Sequence, residues 1–90
     1  MLLHLGSDEC VPLSRVVAVL NVESMSQEMW EVISKAKKEG SVVEVSRPPH
    51  KSCVVVKNGS KRCFYLSAIS SVTLGARAAS GGLTELKGED

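Results

Sequence analysis

Aromatic side chains are scarce in this 90-residue chain, which contains one tryptophan, one phenylalanine and one tyrosine. A chain of this length forms one small domain, and such a domain buries only about two-thirds of its unfolded surface. Because aromatic rings are few, the core must be built from valine, leucine, isoleucine and methionine. Such a core is thin, so self-association would be an effective way to bury more surface.

Signatures of catalysis are also missing. The sequence contains no GxSxG, no P-loop, no HExxH and no clustered carboxylate pair. Its two histidines, His4 and His50, have no Cys or Ser neighbour at a recognisable triad spacing. We therefore expect His4, which lies inside an apolar run, to make a single structural hydrogen bond. The chain is predicted not to be an enzyme and to use no cofactor and no small-molecule substrate.

Metal-ligand spacing is equally absent among the three cysteines, Cys10, Cys53 and Cys63, which form no CxxC or His/Cys pattern. Each lies in an apolar run, so we expect buried free thiols and no metal site. An odd number of cysteines and the lack of a signal peptide predict a reducing, cytoplasmic location. No apolar run approaches the roughly twenty residues that cross a bilayer, so no membrane partner is predicted.

Charge is unevenly distributed along the chain, although the total is only +1. Residues 1–34 hold one cation, Arg15, against five acids, whereas residues 35–62 hold eight cations against two acids. A basic middle third favours an anionic partner, but a lysine-rich solvated surface explains the same composition. Arg15 itself is open to an ordinary ion pair with Asp8 or Glu9.

The most distinctive basic stretch is Ser46–Lys51. Its two adjacent prolines have no backbone N–H to donate, so the stretch cannot lie inside a paired sheet. It must join two valine-rich strands, Val42–Ser46 and Ser52–Lys57. The side chains of this loop that carry or can gain positive charge are Arg47, His50 and Lys51. A stiff basic loop between two buried strands is a candidate for a ligand-facing feature.

The strongest helix signal spans Ser24–Lys38. Ser24 with Gln27 fits a capping box, and Ser26 is a second possible cap. An apolar stripe at helical spacing predicts that one face of this helix packs on a sheet. The stripe comprises Met25, Met29, Ile33 and Ala36, widened by Trp30 and Val32. A methionine-rich stripe indicates core packing rather than a cofactor site.

A hairpin follows the basic loop. Asn58-Gly59 predicts a type I′ turn that joins Ser52–Lys57 to Lys61–Ser67. Further strands are predicted at Met1–Leu5 and Val16–Leu20. The cations near the predicted hairpin tip are Lys57, Lys61 and Arg62.

The order of these elements, with a last short helix at Val72–Ala79, predicts an α+β fold. We expect a small, mostly antiparallel five-stranded sheet with one main helix packed on it and the short helix at the C-terminal end. Residues 1–79 would form a single domain, and residues 80–90 a flexible tail.

Four stretches of the sequence, through their order and spacing, point to a known family. They are His4–Gly6, Val11–Val17, Lys37–Gly40 and Tyr65–Leu74. Together, over residues 1–78, they resemble the RemA/RemB family of bacterial extracellular-matrix regulators. The resemblance is closer to RemB-type members, which share the opening leucine-glycine and the segment that begins Tyr65-Leu66-Ser67. It implies a cytoplasmic, non-enzymatic protein.

The resemblance also implies a nucleic-acid interface, because RemA-type members are DNA-binding activators of biofilm-matrix operons that form rings. An arginine that they use in DNA contact falls on Arg15. Their arginine–arginine turn falls on Pro49 and His50, where this chain departs from the pattern. Arg47 and Lys51 supply charge on either side. The expected nucleic-acid-binding residues are therefore Arg15, Arg47, His50 and Lys51.

Two functions remain open at this point. One is a transcriptional regulator that binds double-stranded DNA as a ring-like homo-oligomer; the other is an oligomeric scaffold or protein-interaction module without direct DNA binding. No aromatic residue lies among the basic ones, so contact with the duplex backbone and shape is favoured over base stacking on single strands. Protonation of His50 would add charge, so DNA binding should strengthen as pH falls.

Overall fold

The computed structural model describes residues 1–80 and confirms the α+β class. Its strands are β1 (Leu2–Gly6), β2 (Glu9–Pro12), β3 (Val16–Asn21), β4 (Val42–Glu44), β5 (Ser52–Asn58) and β6 (Lys61–Ser67). Its helices are α1 (Gln27–Lys38) and α2 (Ser71–Ala79), with 3₁₀ turns at Leu13–Arg15 and Val22–Ser24. The tail predicted at 80–90 lies, apart from Ser80, outside the described residues. No helix within residues 1–80 is long and apolar enough to span a membrane.

The strands form two sheets, so the predicted single five-stranded sheet is wrong. β1 pairs only with β2, while the larger sheet has the order β3–β5–β6–β4. Gly6 and Ser7, with φ of +119° and +49°, reverse the chain after the first strand directly into β2. The 3₁₀ turn Leu13–Arg15 then redirects the chain, and β3 joins the larger sheet as an edge strand.

The larger sheet is mixed rather than wholly antiparallel. β4 runs parallel to β6, with Val42 opposite Phe64 and Glu44 opposite Leu66, while β5 is antiparallel to both of its neighbours. β4 ends and β5 begins at the same end of the sheet, where Ser67 ends β6. The connection between them, residues 45–51, must therefore cross the end of β6. This connection is the basic loop.

The core consists of two layers of side chains, one on each face of the larger sheet. The layer against α1 contains Ile33, Ala36, Cys53, Val55, Phe64 and Leu66. The layer against α2 and the β1–β2 hairpin contains Leu3, Leu5, Val11, Val54, Val56 and Leu74. β5 supplies buried side chains to both layers, which explains its continuous run of valines. Burying each such aliphatic side chain contributes about 1.5–3 kcal/mol.

Helix α1 begins later than the capping-box pattern predicts. The Ser26 hydroxyl accepts the Met29 N–H at 3.1 Å, so Ser26 is the cap, while Ser24 belongs to the preceding 3₁₀ turn. Trp30 and Val32 are 38% and 49% exposed, so they do not widen the buried stripe. Ile33 and Ala36 are the buried residues of the helix, and Met29, with Met25 just before the helix, packs against the same layer.

The β5–β6 hairpin is present, but its turn lies one residue later than predicted. Asn58 pairs with Lys61, which leaves Gly59 and Ser60 as the two turn residues. Among these only Gly59 has a positive φ, +66°, which is the pattern of a type II′ turn rather than type I′. This register sets Lys57 directly opposite Arg62.

Candidate functional site

The loop of residues 45–51 is fixed to the sheet at both ends. The Val45 N–H donates to the Leu66 carbonyl at 2.9 Å, and the Lys51 N–H donates to the Ser67 carbonyl at 2.7 Å. Between these anchors the exposed residues are Arg47, Pro48 and Pro49. The loop therefore projects a short basic segment from a fixed base, and its two prolines lie outside the paired strands, as predicted.

His50 closes this loop from the inside. Its side chain is 12% exposed, and its Nε2 lies 2.9 Å from the Ser46 carbonyl oxygen. Since a carbonyl only accepts, Nε2–H is the donor in this bond. Glu44 Oε1 lies 3.9 Å from the same nitrogen. His50 thus holds the loop in shape, and its contact with nucleic acid stays a prediction.

The β1–β2 turn supports the loop from a second direction. Ser7 Oγ donates to the Val45 carbonyl at 3.2 Å. A Cβ at Gly6 would lie 3.5 Å from Val45 Cγ1, and the φ of +119° makes any side chain strained there. His4 Nε2 donates to the Ser7 carbonyl at 2.8 Å, which confirms the structural hydrogen bond predicted for His4.

Two buried serines join the base of the loop to the start of α2. Ser67 Oγ donates to the Leu5 carbonyl at 2.6 Å and accepts from the Ile69 N–H at 3.0 Å. Ser52 Oγ donates to the Ile69 carbonyl at 2.7 Å. Both serines are 0% exposed, so their hydroxyls satisfy backbone groups that water does not reach. The serine-rich segment that begins at Ser67 is therefore structural.

A cleft of about 440 Å³ lies between the loop and the N-terminal end of α2. His50 and Lys51 line it from the loop, and Ser70 lines it from the helix. The Ser70 hydroxyl accepts the Thr73 N–H at 3.1 Å, so this helix end is capped by its own chain. Glu23 lines the same cleft, so the charge there is mixed.

Arg15 lies at the opposite end of β5 from the loop. It precedes Val16, which pairs with Val56. A cleft of about 320 Å³ beside it is lined by Ser14, Arg15, Lys57, Asn58 and Gly59. Ser52 and Lys57 are five positions apart on β5, or about 17 Å at the rise of a strand. The fold therefore brings Arg15 together with Lys57, and within one chain it separates Arg15 from the basic loop.

Most of these cations have no acidic partner within the described part of the chain. The ion pairs there are Lys37–Glu44 at 3.4 Å and, when the imidazole is protonated, His50–Glu44 at 3.9 Å. The ion pair of Arg15 with Asp8 or Glu9 that the sequence allows is not formed. Arg15, Arg47 and Lys51 are all exposed. Their charges are thus available to an anionic partner.

The three cysteines are free but differ in burial. Cys53 is buried, Cys63 is half-buried and Cys10 is exposed, so the prediction of buried thiols is wrong for Cys10. Cys10 pairs with His4 in the small sheet, whereas the next residue, Val11, points into the core. Burial raises the pKa of the Cys53 thiol from 9.0 to about 11, so this thiol stays protonated and unreactive near neutrality. No group of three His, Cys, Asp or Glu residues that could hold a metal occurs in residues 1–80.

Sequence reasoning missed the neighbours of Arg15 and the role of Arg77. The proximity of Arg15 to Lys57 depends on the pairing of β3 with β5, which no local pattern reveals. Arg77 Nη1 donates to the His4 carbonyl at 3.1 Å and so ties α2 to β1. Its position in the last turn of a helix suggests only a favourable interaction with the helix dipole.

Comparison with known proteins identifies a family. A family model described as RemA-like, extracellular matrix regulatory protein A-like, matches residues 2–78. That span contains Arg15, the basic loop and the β5–β6 hairpin. A search of curated proteins finds no match.

Proposed function

The chain belongs to the RemA-like family of extracellular matrix regulatory proteins, and from that premise we propose that it is a transcriptional regulator that binds double-stranded DNA as a homo-oligomer. The observation that carries this proposal is the pair of exposed cationic sites at the two ends of β5. Arg15 stands at one end, and Arg47 and Lys51 stand at the other. Family membership alone supports a regulatory role, and these cations supply the chemistry that an anionic duplex needs.

The proposed mode of binding is contact with the phosphate backbone. Arginine and lysine bind phosphate by charge and by N–H donation, and each neutralised phosphate adds about 0.9 to the salt slope of log K. Trp30, Phe64 and Tyr65 do not lie in either cationic site, so stacking on unpaired bases is not part of the proposal. The two sites are separated by about 17 Å along β5, which exceeds the roughly 12 Å width of a major groove. In the proposed mode, one protomer contacts phosphates on both sides of a groove.

The proposed homo-oligomer is supported by what the monomer leaves uncovered. β3 is an edge strand of six residues without a charged side chain, and Val17 on it is 45% exposed. Unprotected edges of this kind are sites of pairing with another chain. A single protomer offers few phosphate contacts, whereas a ring of protomers repeats each contact. By the same family resemblance we propose a RemB-type regulator of biofilm-matrix operons that acts in the cytoplasm of a bacterium.

The experiment that tests this proposal measures binding of the full chain to a fluorescently labelled duplex at about 50 mM salt, where release of counterions favours a DNA-binding protein. We expect Arg15→Ala and Arg47→Ala each to weaken binding by about tenfold, since hydrogen bonds to charged groups contribute about 1.5–3 kcal/mol. Lys38→Ala, which removes an exposed cation from α1, is the matched control. Unchanged affinity and salt slope in both arginine variants would contradict the proposed site.

The role of His50 is tested in the same assay by changing the pH. Binding that strengthens from about pH 8 to about pH 6 in the parent and not in His50→Gln would support a charged His50 at the phosphate surface. A flat profile in the parent would limit His50 to its hydrogen bond with Ser46.

The second candidate function is an oligomeric scaffold without DNA binding. It is favoured by the departure at Pro49 and His50, because an imidazole turned inward does not replace a bidentate guanidinium. Light scattering and the same binding assay separate the two candidates. An oligomer that fails to bind duplex at about 50 mM salt would identify the scaffold.

A further inference from the structure

The tip of the β5–β6 hairpin carries a cluster of cations that the folded chain itself does not neutralise. We call the tip cluster Arg15, Lys57, Lys61 and Arg62. All four are exposed, and none makes an ion pair within residues 1–80. The acid that does pair with cations in that part of the chain, Glu44, lies in β4 near the other end of β6.

The register of the hairpin makes this cluster unfavourable for folding. Lys57 lies directly opposite Arg62 on one face of the ribbon, while Lys61 follows in the next pair, opposite Asn58, and lies on the other face. Side chains directly opposite on antiparallel strands have Cβ atoms about 4.5–5.5 Å apart, and like charges at that distance destabilise the pairing. The Asn58 side chain makes only a long contact with the Cys63 sulfur, at 3.9 Å. The hairpin thus keeps a repulsive pair where a lysine–glutamate pair would fit equally well.

A local conflict of this kind, without a compensating contact in the fold, is the expected signature of a functional surface. The cleft beside the pair strengthens that interpretation. Arg15 lines it from the 3₁₀ turn, and Lys57 and the backbone of Gly59 line it from the hairpin. Its volume of about 320 Å³ is open to solvent and large enough for a phosphate group with its sugar.

We propose that the tip cluster is a phosphate-binding surface for duplex DNA, in which Lys57 and Arg62 act together with Arg15. The bound phosphate removes the repulsion between Lys57 and Arg62, so the cost to the free protein becomes part of the binding energy. A two-stranded antiparallel ribbon also has a shape that a major groove admits. This inference rests on the proposed function and adds two residues, Lys57 and Arg62, to the expected interface.

The test compares two double variants of the full chain. Lys57→Gln with Arg62→Gln removes the opposed pair, and Lys35→Gln with Lys38→Gln removes two exposed cations from α1 as the matched control. Binding to a labelled duplex is measured at several salt concentrations starting at about 50 mM. Thermal unfolding and light scattering are measured on the same samples without DNA.

We expect the tip variant to bind about tenfold more weakly or worse, and its salt slope to fall by about 0.9 for each phosphate that it no longer neutralises. The α1 control should change much less. The thermal midpoint of the tip variant should not fall, and we expect it to rise, because the repulsive pair is gone. The charge-preserving exchange Lys57→Arg with Arg62→Lys should retain binding. Weaker binding combined with higher stability is a result that a merely structural role would not produce.

Four results would overturn the inference. The first is a tip variant that binds like the parent protein; this leaves the proposed function in place. The second is an equal loss in both double variants, which would indicate a general effect of net charge. The third is a tip variant whose oligomer dissociates, which would assign the cluster to an interface between copies. A parent protein that binds no duplex at all would reject the proposed function and the tip surface together.

Discussion

The two ends of β5 present cations in different ways. At the Ser52 end, Arg47 and Lys51 sit on a loop whose base is held by backbone bonds to β6 and by the hydroxyls of Ser52 and Ser67. At the other end, Lys57 and Arg62 sit on a hairpin that projects beyond the core layers. The loop therefore depends on tertiary contacts for its shape, whereas the tip depends on its own strand pairing and on a two-residue turn.

This contrast indicates where the chain can be changed without loss of the fold. A charge on the tip can be removed at no cost to packing, so a loss of binding in a tip variant does not arise from a loss of the fold. The loop end couples β1, β5 and β6 to the segment that leads into α2 through buried hydroxyls. A change there alters stability and charge presentation together. The following three predictions test the contrast between an anchored end and a projecting end.

The largest effect is expected for Ser67→Ala at the anchored end. The variant leaves the Leu5 carbonyl and the Ile69 N–H without their partner, and each buried unsatisfied group costs about 1–3 kcal/mol. We therefore expect a loss of about 4 kcal/mol in the free energy of unfolding, measured by urea denaturation. Ser60→Ala, in the exposed turn of the tip, is the control and should change stability by less than about 0.5 kcal/mol.

Equal effects of the two serine variants would remove the contrast. A loss below about 1 kcal/mol for Ser67→Ala would mean that water replaces the hydroxyl and that the loop end is looser than its hydrogen bonds indicate.

The sequence predicts the parts of this fold that depend on neighbours in the chain. The α1 helix, the basic loop between two strands and the β5–β6 hairpin all follow from local patterns of capping, proline and valine. The hairpin turn is displaced by one residue because Asn58-Gly59 and Gly59-Ser60 both suit two-residue turns. Both registers keep the same faces of β5 and β6, but the observed one sets Val55 opposite Phe64, whereas a turn at Asn58-Gly59 would set it opposite Arg62.

The parts that the sequence does not predict depend on contacts between distant segments. Nothing near Met1–Leu5 reveals that this strand pairs only with β2, since the pattern of a short apolar strand is the same in either sheet. Trp30 and Val32 have helical spacing that suits burial, but they flank the helix face that packs on the four-stranded sheet and stay exposed. The grouping of Arg15 with Lys57 likewise follows from the β3–β5 pairing. The candidate site was thus predictable as a list of cations and not as two separate surfaces.

A second, smaller effect is expected from two thiols, Cys53 in β5 and Cys63 in β6, which lie towards opposite ends of the β5–β6 pair. Cys53 pairs with Leu66 near the anchored end, and Cys63 pairs with Val56 near the tip. Burial raises the pKa of Cys53 from 9.0 to about 11, so above pH 9 the unfolded chain loses this proton while the folded chain keeps it. The contribution of this thiol to the free energy of unfolding is therefore fully present below pH 9. It falls as the pH rises towards 11, where the loss reaches about 2 kcal/mol.

The measurement is urea denaturation between about pH 8 and about pH 11, with Cys53→Ala as the comparison. Burial also raises the pKa of Tyr65, helped by the charges of Cys63 and Glu9, and this contribution has the same sign and remains in the variant. The fall in the free energy of unfolding with rising pH should therefore be smaller in Cys53→Ala than in the parent protein, but still present. Thiol labelling in a Cys10→Ser background measures the accessibility of the two remaining thiols. Cys63 should react well before Cys53. Faster reaction of Cys53 would reverse the assignment of the anchored end.

The smallest effect, and the sharpest test of two separate surfaces, is the coupling between arginines at opposite ends of β5. Sites farther apart than about 7–10 Å, with no shared partner, change binding energy additively within about 0.5 kcal/mol. Arg15 and Arg47 flank a strand segment of about 17 Å, so the reductions in DNA affinity of Arg15→Ala and Arg47→Ala should add in the double variant. Arg15 and Lys57 line one cleft, so the effect of the Arg15→Ala, Lys57→Ala double variant on binding energy should differ from the sum of the two single effects by more than that margin.

Additive effects of Arg15→Ala and Lys57→Ala, together with strong coupling of Arg15→Ala to Arg47→Ala, would contradict the division into two surfaces. That result would instead require a neighbouring protomer to bring the loop of one copy against Arg15 of the next.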